Sequence, residues 1–154
     1  MRKGFSLITA IVFMVLIATL SALALSFSAL NVKQTSDTYL REQAELLLQS
    51  STEYALLAIS AHDIATNDNC LNTINAQYIP STGATAIFDI NISMHYIGTG
   101  LPVGNAKCQR FSQTDISTND SNVTVIIDTI IETTPGNNIS NEPIRLHRRT
   151  IQKP

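Results

Sequence analysis

The sequence predicts an α+β chain: one long N-terminal helix, transmembrane in its first half and packed in its second half on a small antiparallel β-sheet of about four strands. Three observations predict it. The 29 residues between Lys3 and Lys33 carry no charge, no Gly or Pro occurs from Phe5 to Ile79, and apolar residues alternate with polar ones from Phe88 to Tyr96. The 122 residues from Lys33 onward are rich in Asn, Ser and Thr and hold all 12 acidic groups. A length of 154 residues suits one domain with an anchor. The composition argues against a disordered chain, a collagen-like chain and a multi-cysteine mini-protein. With 10 Lys and Arg against 12 Asp and Glu, the balance does not point to a general nucleic-acid binder.

The uncharged run from Phe5 to Val32 is 28 residues, about 42 Å as a helix against roughly 30 Å of bilayer hydrocarbon. Its apolar residues surround the helix on all sides, which suits lipid or a bundle of helices better than a half-exposed surface. Arg2 and Lys3 precede it, so the positive-inside rule places the N-terminus in the cytoplasm and the remainder outside.

The helix continues beyond Val32 and becomes amphipathic. Leu40, Ala44, Leu47, Leu48, Ala55, Ala58 and Ile59 lie near one face, with Lys33, Asp37, Arg41, Glu42, Glu45 and Glu53 largely elsewhere. The pattern predicts a helix running to about Ala65, roughly 90 Å long, ended by Asn67, Asp68, Asn69, Asn72 and Asn75. Pro80, Ser81 and Gly83 punctuate the approach to the first clear strand.

In that strand Phe88, Ile90, Ile92, Met94 and Tyr96 alternate with Asp89, Asn91, Ser93 and His95, giving one buried and one wet face, and Gly98 to Pro102 closes it. A short strand is expected around Lys107 to Gln113, a further one from Asn122 to Thr133 with Val123, Val125, Ile127 and Ile131 on one face, and a last from Pro143 to Gln152. Pro135 and Gly136 supply the turn between the last two. Such close spacing reads as an antiparallel meander covered by the amphipathic half of the helix.

Cys70 and Cys108 fall in the part expected outside the cytoplasm, where an even count favours a disulfide. Closing that 38-residue separation would restrict the unfolded chain by about 4 kcal/mol. Spacing alone leaves a pair of free thiols as the other reading. No other Cys or His lies within five residues of either cysteine, which argues against zinc.

The opening Met1-Arg2-Lys3-Gly4-Phe5-Ser6-Leu7-Ile8 resembles the class III signal of type IV pilins and type II secretion pseudopilins. It has the short basic leader, then Gly, then Phe at the head of a long apolar helix. The likeness covers about 30 residues in sequence and the whole chain in architecture. It implies that a prepilin peptidase cuts between Gly4 and Phe5 and methylates the new amino group of Phe5. The chain then divides into a leader at 1–4, a transmembrane and filament-core helix at 5–32, an amphipathic continuation at 33–68 and an antiparallel sheet head at 69–154. The partners implied are other pilin or pseudopilin subunits, the peptidase, an inner-membrane assembly platform with its ATPase, and membrane lipid. The location implied is the bacterial inner membrane, single-pass with the head in the periplasm, and incorporation into a filament.

One position departs from the family pattern. The fifth residue after the cut is usually Glu, thought to pair with the N-terminal amine of the neighbouring subunit, and here it is Thr9. A Glu at membrane depth costs about 2–4 kcal/mol unless neutralised, so its absence removes both a cost and a handle. The missing Glu is similar to minor subunits at a filament tip, and the absence of Pro before Pro80 agrees with a minor rather than a major pilin.

The sequence carries no enzyme signal, and no cofactor is expected. His62, His95 and His147 are scattered, and the chain holds no H-E-x-x-H, G-x-S-x-G or phosphate loop. His62 and Asp63 read as a helix-end pair. The segment from Asp115 to Asn122 is dense in oxygen ligands, with Asp115, Asn119 and Asp120 as Ca²⁺ candidates, but lacks the Gly and distant Glu of an EF-hand and reads as a solvated turn. Arg145, His147, Arg148, Arg149 and Lys153 make the last strand basic. Arg145 and Arg149 fall on the solvent face of an edge strand, where charge blocks aberrant pairing, and nucleic acid is not the expected partner. A reading of another class is a periplasmic binding module, tethered by an uncleaved helix or released after Ala22-Leu23-Ala24, although the preceding run is long for a signal peptide.

Overall fold

The computed structural model describes residues 3–104, 107–117, 122–136, 139–140 and 142–154. In chain order the elements are α1 (Lys3–Ala61), α2 (Ile64–Asn67), β1 (Thr73–Tyr78), β2 (Phe88–Gly98), β3 (Val123–Thr133) and β4 (Arg145–Gln152). The chain forms two compact units, Met1–Tyr39 and Leu40–Pro154.

The first unit holds the apolar part of α1. From Leu7 to Tyr39 every side chain is exposed except Thr9 and Asp37, which are partly covered. Phe13, Met14 and Leu25 are each at least 65% exposed, so this surface is apolar all round and is covered by nothing in its own unit. The helix is long and apolar enough to cross a membrane. Three of its hydroxyls bond within the helix: Thr19 donates to the Leu16 carbonyl, Ser21 to Ile17 and Ser26 to Ala22, at 2.8–3.1 Å. Such bonds remove most of the cost of placing a hydroxyl in a medium without water.

The second unit is built from the rest of α1 and a four-stranded antiparallel sheet in the order β1-β2-β3-β4. Along α1, Leu40, Ala44, Leu48, Ser51, Thr52, Ala55 and Ile59 are buried at spacings of three and four, the stripe a helix lays on a sheet. The sheet answers with alternate residues: Phe88, Ile90, Ile92, Met94 and Tyr96 of β2, and Val125, Ile127, Thr129 and Ile131 of β3. Register follows from that alternation, with Ile92 opposite Thr129 and Met94 opposite Ile127, since a slip of one residue would turn either strand inside out.

Three features differ from the sequence expectation. The spine does not run unbroken to Ala65: α1 stops at Ala61, and Asp63 in extended backbone caps α2, its Oδ1 accepting from the N–H groups of Ala65 (3.0 Å) and Thr66 (3.2 Å). A carboxylate that takes up free N–H groups starts a new helix, and the previous one must end before it. The Asn-rich stretch after the helix is not all loop: Thr73–Tyr78 pairs with β2 from Thr73 opposite Ser93 to Tyr78 opposite Phe88. Its polar residues bond across the strands, Asn91 to Asn75 (2.5 Å) and Gln77 to Asp89 (2.7 Å), as an edge strand allows.

The strand expected at Lys107 to Gln113 is absent as a strand. Instead, that segment meets β2 at a single parallel bridge, Tyr96 with Arg110. The Tyr96 N–H donates to Gln109 O (2.8 Å), and its carbonyl accepts from the Phe111 N–H (2.9 Å). Asn72 prepares this seat: its Nδ2 donates to Lys107 O (2.7 Å), its Oδ1 accepts from the Gln109 N–H (2.8 Å), and its own carbonyl accepts from Met94 N–H (2.8 Å). A loop thus replaces β1 along the far half of β2.

Candidate functional site

The residues singled out by sequence fall into separate places, each positioned by its own element. At the N-terminus, Lys3, Gly4 and Phe5 already have helical backbone, while Met1 and Arg2 lie outside the described residues. Thr9 sits two turns into α1.

Cys70 and Cys108 are bonded, with Cα atoms 4.7 Å apart, so of the two readings left open the disulfide is the one adopted. Cys70 follows α2 and is buried, and Cys108 lies between the Lys107 carbonyl and the Gln109 N–H that Asn72 holds. A salt bridge from Lys107 to Asp68 crosses the same junction. Tyr96 closes it from the sheet side: its hydroxyl donates to Leu71 O (2.6 Å), and burial pushes its pKa up to about 12.

Of the calcium candidates, Asp115 is engaged by Arg110, while Asn119 and Asp120 lie outside the described residues. Among the described residues no three His, Cys, Asp or Glu side chains come together as a metal-binding group. The three histidines also sit apart. Nε2 of His62 faces the backbone and side-chain oxygens of Asn69 at 2.9 and 3.0 Å, at the helix end where the sequence placed a His62–Asp63 pair. His95 lies on β2, opposite Ile126, and His147 on β4, opposite Ile130.

The densest electrostatic cluster lies on the sheet face turned away from α1. Asp128 of β3 is 7% exposed and stands directly opposite Arg149 of β4. Arg149 grips it in a fork, Nε to Oδ1 at 2.8 Å and Nη2 to Oδ2 at 2.7 Å, and His147 Nε2 meets Oδ1 at 2.8 Å. The Arg149 hydrogen bonds hold the Asp128 carboxyl below its usual range, opposed by burial and aided by His147. The same pair raises the Arg149 pKa. One step along the sheet, Arg145 lies opposite Glu132 with 3.8 Å between Nε and Oε2. Sequence reading identified the basic strand and missed its acidic partner. Asp128 has the right parity for a wet face, and only the strand register reveals that two basic side chains cover it.

Chemically, these groups bind and brace. The disulfide, the Asn72 seat and the Asp128 cluster each fix one part of the head to another, and α1 offers a continuous apolar surface. Comparison of the chain with known family models, with curated proteins and with solved structures finds no match in any of the three.

Proposed function

We propose that this chain is a minor pilin-like or pseudopilin-type structural subunit of a type II secretion or type IV pilus filament. A prepilin peptidase would release it from its leader after Gly4 and methylate Phe5, and its N-terminal helix would anchor it in the inner membrane and then in the filament. The head lies on the periplasmic side. The observation that carries the reading is α1 itself: an uninterrupted helix from Lys3 to Ala61 whose stretch from Leu7 to Val32 exposes apolar side chains on every side. Such a surface is untenable in water and calls for lipid or other helices.

The resemblance at Lys3-Gly4-Phe5-Ser6-Leu7-Ile8 turns that general need into a specific one. Removing Met1 to Gly4 takes away Arg2 and Lys3, the cations that hold the N-terminus at the cytoplasmic face. The apolar helix can then exchange lipid for neighbouring helices, driven by an assembly platform and its ATPase, with no reaction carried out by this chain. Thr9 in place of Glu supports a low-copy position, where no earlier subunit's amine needs a carboxylate partner.

The test is the intact mass and N-terminal residue of the protein purified from its host's membranes. A chain starting at methylated Phe5 is expected. A start at Leu25 would make it a secreted periplasmic domain, an intact Met1 a plain tethered protein, and either would end the filament reading. The minor role is tested by counting copies in sheared filaments, where abundance equal to that of the other subunits would sink it.

A further inference from the structure

We propose that the outer edge of β4 is a docking site for an extended strand of another protein, one that alternates acidic and apolar side chains. β4 closes the sheet on one side, and among the described residues no strand lies beyond it. The ladder identifies which of its backbone groups are left over. The Thr133 N–H donates to Ile144 O at 3.0 Å, which continues by one residue the β3 and β4 register that sets Glu132 opposite Arg145. Hydrogen-bonded pairs recur every second residue in an antiparallel ladder. Leu146, Arg148, Thr150 and Gln152 therefore turn their N–H and C=O groups to β3, and Arg145, His147, Arg149 and Ile151 turn theirs outward. Four consecutive outward positions span about 20 Å, enough for a strand of six or seven residues.

Two features select what that strand carries. The first is charge. Four of the seven Lys and Arg residues from Leu40 onward fall between Arg145 and Lys153, in a unit that holds 11 Asp and Glu. On the face away from α1, Arg145, His147 and Arg149 line the edge in a row, and among the described residues they share the carboxylates of Glu132 and Asp128, which stand one strand further in. A second copy's β4 paired antiparallel over its full length would set His147 against Arg149, and shifted registers would set Arg against Arg, whereas acidic residues of an incoming strand would stand directly beside Arg145 and Arg149. The second feature is the opposite face of the edge. There a groove of about 320 Å³ runs between β4 and α1, lined by Glu42, Glu45, Leu46, Gln49, Leu146 and Arg148. Glu42 and Glu45 would repel carboxylates, whereas Leu46 and Leu146 offer apolar contact. A strand with acids on the outward face and apolar residues on the groove face satisfies both sides, as the two-residue period of a strand allows.

The experiment is residue-resolved amide hydrogen exchange on the full chain in detergent micelles, with three synthetic peptides. The first alternates Val with Asp and Glu, the second replaces the acids by Lys, and the third is the acidic peptide with Pro at its central position. With the first peptide, exchange at His147 and Arg149 is expected to slow by about tenfold or more, while Leu146, Arg148 and Thr150, already bonded to β3, change little. The Lys peptide and the Pro-interrupted peptide should leave all of these amides unaltered. Uniform slowing along β4, no slowing at all, or equal slowing by the Lys peptide would overturn the proposal. It does not depend on the filament reading, because the readout is confined to β4 and needs no assembled filament.

Discussion

Asp128 and Arg149 stand opposite each other on neighbouring strands, 21 residues apart in sequence, and join in a two-point bond of 2.8 and 2.7 Å on the polar face of the sheet. The pair fastens an edge strand with four cations in nine residues, Arg145 to Lys153, to the centre of the head.

Replacing Asp128 by Asn removes the charge while keeping the shape. The expected loss of stability at neutral pH is about 1–2 kcal/mol, since charge-assisted hydrogen bonds are exchanged for weaker neutral ones. Because the folded Asp128 carboxyl titrates below its unfolded value, its contribution is fully present above about pH 4. It is lost as pH falls through the lower folded value. Denaturant melts of wild type and Asp128→Asn from pH 7 to pH 2 should therefore converge at the acid end, and a constant gap would contradict this assignment.

The disulfide joins the end of the helical part to the loop that completes the sheet. Breaking it with Cys70→Ser and Cys108→Ser together should cost about 4 kcal/mol on the chain-entropy model for a 38-residue separation. The Gln109 N–H that Asn72 holds should become the first backbone amide to lose protection from exchange. An unchanged unfolding midpoint after reduction would show that Asn72 and Tyr96 hold the junction unaided.

Gly98 ends β2 where the chain passes against the start of β3. A Cβ built there would lie 2.2 Å from the Asn122 carbonyl oxygen and 3.0 Å from the Val123 Cα, both backbone atoms that cannot swing aside. Gly98→Ala is expected to destabilise the head by about 2 kcal/mol or more through forced separation of the two strands. Gly100→Ala meets no atom within 4 Å and is strained only by its positive φ of 72°. The ordering of the two melting temperatures checks the account.

Position on the fold should outweigh residue type for apolar substitutions in the head. Ile127 is fully buried between α1 and the sheet, and Ile127→Ala should cost about 2–5 kcal/mol. Leu46 is 69% exposed, and Leu46→Ala in the isolated chain should stay within about 0.5 kcal/mol. Equal losses in urea titrations would mean that Leu46 is covered by something in the preparation.

Much of the architecture could be read along the chain because it is written in local patterns. The unbroken charge-free run makes α1 apolar on every side whatever surrounds it. The alternation from Phe88 to Tyr96, and from Val123 to Ile131, makes strands with one wet face. β1 escaped this reading because Asn75, Ala76 and Gln77 carry no apolar pattern, and their strand exists only because β2 supplies Asn91 and Asp89 across from them. The break at His62 and Asp63 was equally hidden, since one carboxylate able to cap a new turn leaves no mark on helical periodicity.

The amino-acid sequence by itself determined where the chain is apolar all round, where it is amphipathic and where it alternates, since each of these depends on neighbours within a turn or a pair of residues. Tertiary structure decided the rest. That Cys70 meets Cys108, that Tyr96 takes Gln109 and Phe111 in place of a strand, and that Asp128 rather than another acid receives Arg149 all depend on strand register. Register is set by burying whole faces at once, so no single residue, read in its own place, carries the information.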